Sequence, residues 1–595
     1  MMTGPLLALL AAAAPAAAAP PDTGYFQQGV DYRIEASLDE STSVLHGRAR
    51  LRYTNHSRTT LDTLYLHQHL NAFRPNSAFA RRERETGQRR FQELGPQDHG
   101  FERFTALAVD GQAVSPVYPG APDSTVVAVP LPRPLAPGAT TTLVMDWDAR
   151  LATVARRQGR QGRHYDWAHW YPRIAVFDPR GWQQHALLPQ GEFYGEFARY
   201  DVTLDLPADQ VVGSTGVPVE GDPGYPVTDE ERRAYAPTSA EALGLLGGDA
   251  AAGRKRVRWR ADDVIHFAWS ADPAYQHDGV TRFALREDGS RMELPDIHVL
   301  YVRGDTGWAG AVPRHAYSAL TWLQGKLGPY VWPQLTIVHR LEGGGTEFPM
   351  LVMNGGNGEG LVVHETTHQW LHGMLASNEW RDGWMDEGFT SFMTNWYMEE
   401  KGTGPDPWQG TMNILERLSR TDSIQPVGLP GSEFSSPRIY TAMTYNKGSA
   451  VLRMLRELLG KPAFERVLHE YYRQYNLKHV TPADFRRVAE EVSGRDLGWF
   501  FRQWIETNAR LDYGVGRVSA VRAGNGWRTT VEVLRLGDAW MPVTIQAGTA
   551  TRVLDSHERR QTVVLTTREK PSEVVLDPGR VLIDLDRSNN RAAVP

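Results

Sequence analysis

The stretch His364-Glu365-Thr366-Thr367-His368 constrains this 595-residue chain more than any other. Two imidazoles four positions apart can face one point if the segment is helical, because residues i and i+4 lie one above the other on a helix. So placed, His364 and His368 can share one metal ion, and neutral imidazole suits zinc. Glu365, one position round the helix, is in this motif the general base and not a ligand. Nineteen positions after His368 comes Glu387, within Trp384-Met385-Asp386-Glu387-Gly388-Phe389, apolar enough to be a second buried helix that supplies a third ligand. Two His and one carboxylate leave a fourth tetrahedral position for water. The sequence therefore predicts one zinc ion on His364, His368 and Glu387. An ordinary amphipathic helix with two satisfied histidines is the plainer reading of the five residues, but it leaves the carboxylate at ligand spacing unexplained.

His372 also lies four positions beyond His368. A three-histidine zinc site of the metzincin kind needs Gly at 371 and His at 374, where this chain has Leu371 and Met374. His372 therefore reads as a helix-face residue or as support for a ligand. Asp386 reads either as the partner of a zinc histidine or as an exposed helix carboxylate.

The chain is too long for one core, and its length suggests three or four domains. With 64 Lys and Arg against 70 Asp and Glu, the net charge of −6 gives no reason to expect nucleic acid. Met1 to about Ala19 reads as an export signal, an apolar run opening with Leu6-Leu7-Ala8-Leu9-Leu10 and ending in alanines before Pro20-Pro21. No later stretch approaches a membrane span, so none is expected once the signal is removed. Cysteine is absent, which excludes disulfides, zinc thiolates, a cysteine nucleophile and a lipid-modified cysteine. The expected location is the bacterial periplasm or the extracellular space.

Alternation of period two, as in Tyr32-Arg33-Ile34-Glu35-Ala36, marks half-buried strands from Tyr32 to Asn55, and similar strands recur up to Leu206. These predict an N-terminal antiparallel β domain with insertions, over residues 20–290. Within it Phe73–Phe104, rich in Arg, Gln and Glu, reads as a surface excursion. Arg150–Arg163 reads either as a solvated loop or as a clamp for acidic substrate groups. Pro218–Arg254 reads as an insertion or partly ordered link. After Pro295 strands and helices alternate, giving a mixed α/β domain over residues 291–510, with Thr481 as N-cap of a helix at Pro482–Val492. Strand patterns over residues 511–595 predict a small C-terminal β-sandwich. The fold class is multidomain α+β.

Together these features resemble the aminopeptidase N-like gluzincin metallopeptidases, in a form with a short C-terminal domain. The resemblance implies a thermolysin-like catalytic domain. With fewer than ninety residues after position 510, the family's large helical C-terminal domain is expected to be absent. Gly344-Gly345-Thr346-Glu347-Phe348, with Glu347 seventeen residues before His364, is similar to the family's Gly-x-Met-Glu-Asn segment. That match implies that Glu347, with Gly344 and Gly345, binds the substrate's α-amino group. Thr346 and Phe348 depart from the pattern. Tyr440-Thr441-Ala442-Met443-Thr444-Tyr445-Asn446-Lys447-Gly448 resembles the family's catalytic-tyrosine segment. It implies Tyr445 as the donor to the oxyanion, with Tyr440 beside the substrate. Gly191-Glu192-Phe193-Tyr194-Gly195-Glu196-Phe197 resembles the end of the family's first-domain core and speaks to architecture. The family also grips the amine with a Gln or Glu of the first domain, for which Asp166, and after it Gln161, is the candidate.

The resemblance implies a zinc aminopeptidase that removes N-terminal residues from peptides with a free amine. An endopeptidase of the same fold and a non-catalytic peptide-binding scaffold are the alternatives.

Overall fold

The computed structural model describes residues 24–236, 243–280, 283–285, 289–421 and 423–595. The export signal expected at residues 1–19 lies outside them. Among the described residues no helix is long and apolar enough to cross a membrane.

The first part is built on an eight-stranded sheet. Its order is Val217–Glu220, Arg254–Val264, Ala198–Pro207, Gly29–Asp39, Val44–Thr54, Thr140–Arg150, Phe101–Val109 and Gln112–Ala113. The alternation read in the sequence is the burial pattern seen: Tyr32, Ile34, Ala36 and Leu38 point inward and face Leu51, Ala49 and Leu45 across the register. One pair departs from the antiparallel expectation, for Gly29–Asp39 runs parallel to Ala198–Pro207, with Tyr32 opposite Tyr200. A long crossover returns the chain to the first strand, and the repeat of side chains within a strand does not encode its partner's direction.

The polar-looking excursion hides a small core. Phe73, Phe79 and Phe91 are buried and pack in pairs with ring centroids 5.3–5.6 Å apart, around a helix Ala78–Glu85 capped by Ser77. Three aromatics at spacings of six and twelve positions follow no single helix or strand period. The segment after Pro218 is also tied down where it is described, since Glu35 accepts backbone N–H bonds from Leu243, Leu245 and Leu246.

The second part has a five-stranded mixed sheet, in the order Tyr275–Val280, Asp296–Val302, Gln334–His339, Leu351–Asn354 and Gly345–Phe348. Its first edge strand, Tyr275–Val280, lies ahead of the division expected at 290/291. Helices Ala311–Lys326, Glu359–Thr367 and Glu387–Lys401 pack in series beside this sheet. Thr481 caps Pro482–Ser493 with a reciprocal bond to Asp484, a full capping box. Two antiparallel sheets of three and four strands make up the C-terminal part, with Val531, Val533, Val563, Val543, Ile545 and Val574 buried. Gln503 joins this part to the second through two bonds to the Trp540 backbone, at 2.9 and 3.0 Å.

Candidate active site

His364 lies on the helix Glu359–Thr367 and His368 at its C-terminal cap, while Glu387 is the first residue of Glu387–Lys401. Their ligand atoms converge: His364 Nε2 is 3.3 Å from His368 Nε2, and Glu387 Oε2 is 3.2 Å from the first and 3.3 Å from the second. Tetrahedral zinc with bonds of 2.0–2.1 Å sets its ligand atoms about 3.3–3.4 Å apart, so the triangle fits the ion. Burial alone would raise the Glu387 carboxyl. The charge of His368 and hydrogen bonds from both histidines hold it well below the usual range, leaving an anion ready for a cation. Asp386 is wholly buried and meets His368 Nδ1 at 2.6 Å. It is thus a ligand's partner, which fixes the ring so that Nε2 faces the centre.

The helix does not continue to His372. Leu371 (φ −99°, ψ 58°) leaves helical space, and His372 turns away to bond Glu379 through Nδ1. It is buried and paired with Glu379, off the helix face that was one of its two expected places.

Glu365 is buried, and its Oε2 has no hydrogen-bond partner among the described residues. Gly345 lies against it: a Cβ there would collide with the Glu365 carboxyl carbon. The strand Gly345–Phe348 is clamped to the metal helix by Gln369, which donates to the Phe348 carbonyl at 3.1 Å and accepts from the Met350 N–H at 2.7 Å. Arg340 holds the glycine turn through the Gly343 and Glu342 carbonyls and the Thr346 hydroxyl. Gly344, at φ +74°, makes that turn in a region other residues rarely adopt. Glu347 is thereby fixed on an edge strand beside the metal ligands.

Tyr445 reaches the site because two glycines let helices touch. A Cβ on Gly448 would lie 3.0 Å from the Gly388 Cα, so the segment ending at Gly448 sits directly on the start of Glu387–Lys401. The Tyr445 hydroxyl donates to Glu387 Oε1, and its ring lies parallel to His364 with centroids 6.2 Å apart. Tyr440 is buried against Phe434, and its hydroxyl has no hydrogen-bond partner among the described residues.

Neither Asp166 nor Gln161 is free to serve as the amine anchor expected of the first domain. Asp166 is consumed by His164, Ser270 and the Leu341 N–H, and Gln161 is exposed. Glu192 faces the centre instead: one guanidinium, that of Arg157, pairs with both Glu192 and Glu347, the latter at 3.5 Å. Burial pushes the Glu192 carboxyl up to about 7 against the pull of Arg157. Burial also works to raise Glu347, but Arg157 and then His368 hold it below its ordinary value. The motif around Glu192 was visible in the sequence, but its link through Arg157 to Glu347, over 150 positions away, was not.

The arginine stretch is no solvated loop. Arg150 and Arg160 bind carbonyls of Pro96, His99, Leu151 and Gln97, and Arg163 pairs with Glu40 and Asp209. Arg156 lies 3.6 Å from Glu342.

His364, His368 and Glu387 together form a triangle that could hold one tetrahedral metal ion. Residues 354–504 match the model of the peptidase family M1 domain. Aminopeptidase N of Lactococcus lactis is 31% identical over 160 residues, covering 24% of this chain and 18% of that protein. Probable aminopeptidase 2 of Sulfurisphaera tokodaii is 26% identical over 152 residues, 19% of its length. The matched segments thus span about a fifth of these curated relatives. The fold is shared more widely. A Deinococcus radiodurans M1 zinc metallopeptidase aligns with a TM-score of 0.54 at 18% identity, over 82% of this chain and 95% of that one. Legionella pneumophila aminopeptidase A aligns at 0.63 and 15%, over 95% of this chain and 60% of that one. Residues 354–504 thus resemble the peptidase family M1 domain, and the fold around them is shared with solved M1 metallopeptidases.

Proposed function

We propose that the protein is a zinc aminopeptidase that cleaves N-terminal residues from peptides with a free amine. The observation that carries this reading is the triangle of His364, His368 and Glu387, with the buried carboxylates Glu365 and Glu347 beside it. Zinc in that triangle supplies Lewis acidity and brings the pKa of water down to about 7. Glu347 and Glu192 accept the substrate's ammonium in charge-assisted hydrogen bonds and fix the scissile carbonyl one residue away. Glu365 takes the proton of the attacking water and returns it to the leaving amine. The Tyr445 hydroxyl donates to the carbonyl oxygen as negative charge gathers there. Peptide binding to this fold has a precedent in the Deinococcus radiodurans enzyme, a mutant of which is described bound to a Tyr-Ser-Ala substrate.

The test compares hydrolysis of one peptide series with free and acetylated N-termini, with and without a chelator. Cleavage of free amines alone, stopped by the chelator, is expected. Internal cleavage of the blocked peptides would make the protein an endopeptidase of the same fold, a reading favoured by Arg157 already holding Glu347.

Gly345→Ala gives a second check. Its Cβ needs the space of the Glu365 carboxylate, and a base displaced by about 1 Å loses on the order of 10²-fold in kcat. Zinc content by atomic absorption should stay unchanged. A variant with full kcat would mean that Glu365 does not act from its present position.

A further inference from the structure

The Arg157 guanidinium occupies the place that the proposed function gives to the substrate's ammonium. It lies between Glu192 and Glu347 and above the Phe193 ring, whose centroid is 5.6 Å from Cζ. The side chain is only 12% exposed, so this is no surface arginine leaning over a cleft.

The loop between Thr140–Arg150 and Gly159–Gln161 is shaped to deliver it. Arg157 has φ +61°, a left-handed conformation disfavoured for a residue with a Cβ. Its backbone N–H donates to Glu342 Oε2 at 2.7 Å, which pins the loop tip to the glycine turn that leads into Glu347. The two carboxylates are not held alike. Glu192 is in close contact with the guanidinium, whereas Glu347 meets it at 3.5 Å, a loose ion pair.

We propose that Arg157 is a built-in competitor for the amine subsite, which free-amine ligands must displace from Glu347 before they bind there. The inference rests on the aminopeptidase reading and adds a specificity-determining residue to it. Above about pH 7, where Glu192 is ionised, two carboxylates and one guanidinium leave a net charge of −1. An incoming ammonium therefore meets one uncompensated negative charge and one like charge at close range, and like charges in a site shielded from water repel strongly. Glu347, the loosely held carboxylate, is the one that changes partner. Glu192 keeps Arg157 in the site, so the guanidinium returns when product leaves. Arg157 thus lowers affinity for free amines and favours release of the liberated amino acid.

The experiment is calorimetry of L-leucinamide and N-acetyl-L-leucinamide binding to the zinc-loaded full chain as wild type, Arg157→Gln and Glu347→Gln. Arg157→Gln is expected to bind leucinamide at least tenfold more tightly than wild type, with acetyl-leucinamide unchanged. Equal or weaker leucinamide binding by a folded, zinc-loaded Arg157→Gln overturns the inference while the amine subsite stands. Should Glu347→Gln bind leucinamide as well as wild type does, the subsite reading falls, and the inference with it. A crystal structure of the wild-type complex needs no variant to fold. Withdrawal of Arg157 from Glu347 beside the bound ammonium supports the proposal, and an undisturbed Arg157–Glu347 contact overturns it.

Discussion

Glu365→Gln is expected to lower kcat by about 10⁴-fold and to leave zinc bound, at the upper end of what a general base contributes. The amide keeps the size of the carboxylate, so the space against Gly345 stays filled. It cannot take up a proton, and the mechanism asks this one group both to accept a proton and to return it. The ligand atoms of His364, His368 and Glu387 do not depend on it, because they converge without the Glu365 side chain. Burial pushes the Glu365 carboxyl up, with His364 and His368 pulling the other way, so the group is placed to exchange protons rather than to stay a fixed anion. Steady-state rates and zinc content measured on one preparation decide the matter. A variant that keeps more than a tenth of the wild-type rate would assign proton transfer to some other group.

How much of this centre the sequence disclosed depends on how each residue is specified. His364, His368 and Glu365 were readable because a spacing of four on a helix is already a geometry. Glu387 was readable because its carboxylate sits among Trp384, Met385 and Phe389, which demand burial. Thr481 was readable because a cap is a local hydrogen bond. Contacts between distant segments leave no such trace. Glu192 and Glu347 meet through Arg157, whose loop belongs to another sheet. The expected anchor, Asp166, is spent on neighbours that local sequence does not announce. Of the two readings of His372, the helix-face one fails for a related reason: four positions imply a shared face only while the helix lasts, and this helix breaks at Leu371. The aromatic core of Phe73, Phe79 and Phe91 escaped because charged residues outnumber apolar ones around it, although three rings suffice to anchor the segment.

Tyr445→Phe is expected to reduce kcat by roughly 10²–10³-fold, the usual loss when one oxyanion donor is removed. KM for a free-amine peptide should change little, because Glu347 and Glu192 bind the ground state and the phenol does not. The change deletes one oxygen. The ring, parallel to His364, and the Gly388–Gly448 contact that brings it there remain. The hydroxyl's present partner is Glu387 Oε1, so it lies beside the metal triangle, where the carbonyl oxygen gains charge. Burial raises the phenol's pKa well above its ordinary value, with Glu387 and Glu192 adding to the rise. It therefore stays protonated and able to donate across the working pH range. A phosphonic analogue of the tetrahedral intermediate should lose affinity for the variant in the same proportion as kcat falls, whereas leucinamide should not. If kcat holds while only melting temperature drops, Tyr445 is a packing residue of the helix start, and another donor must serve the oxyanion.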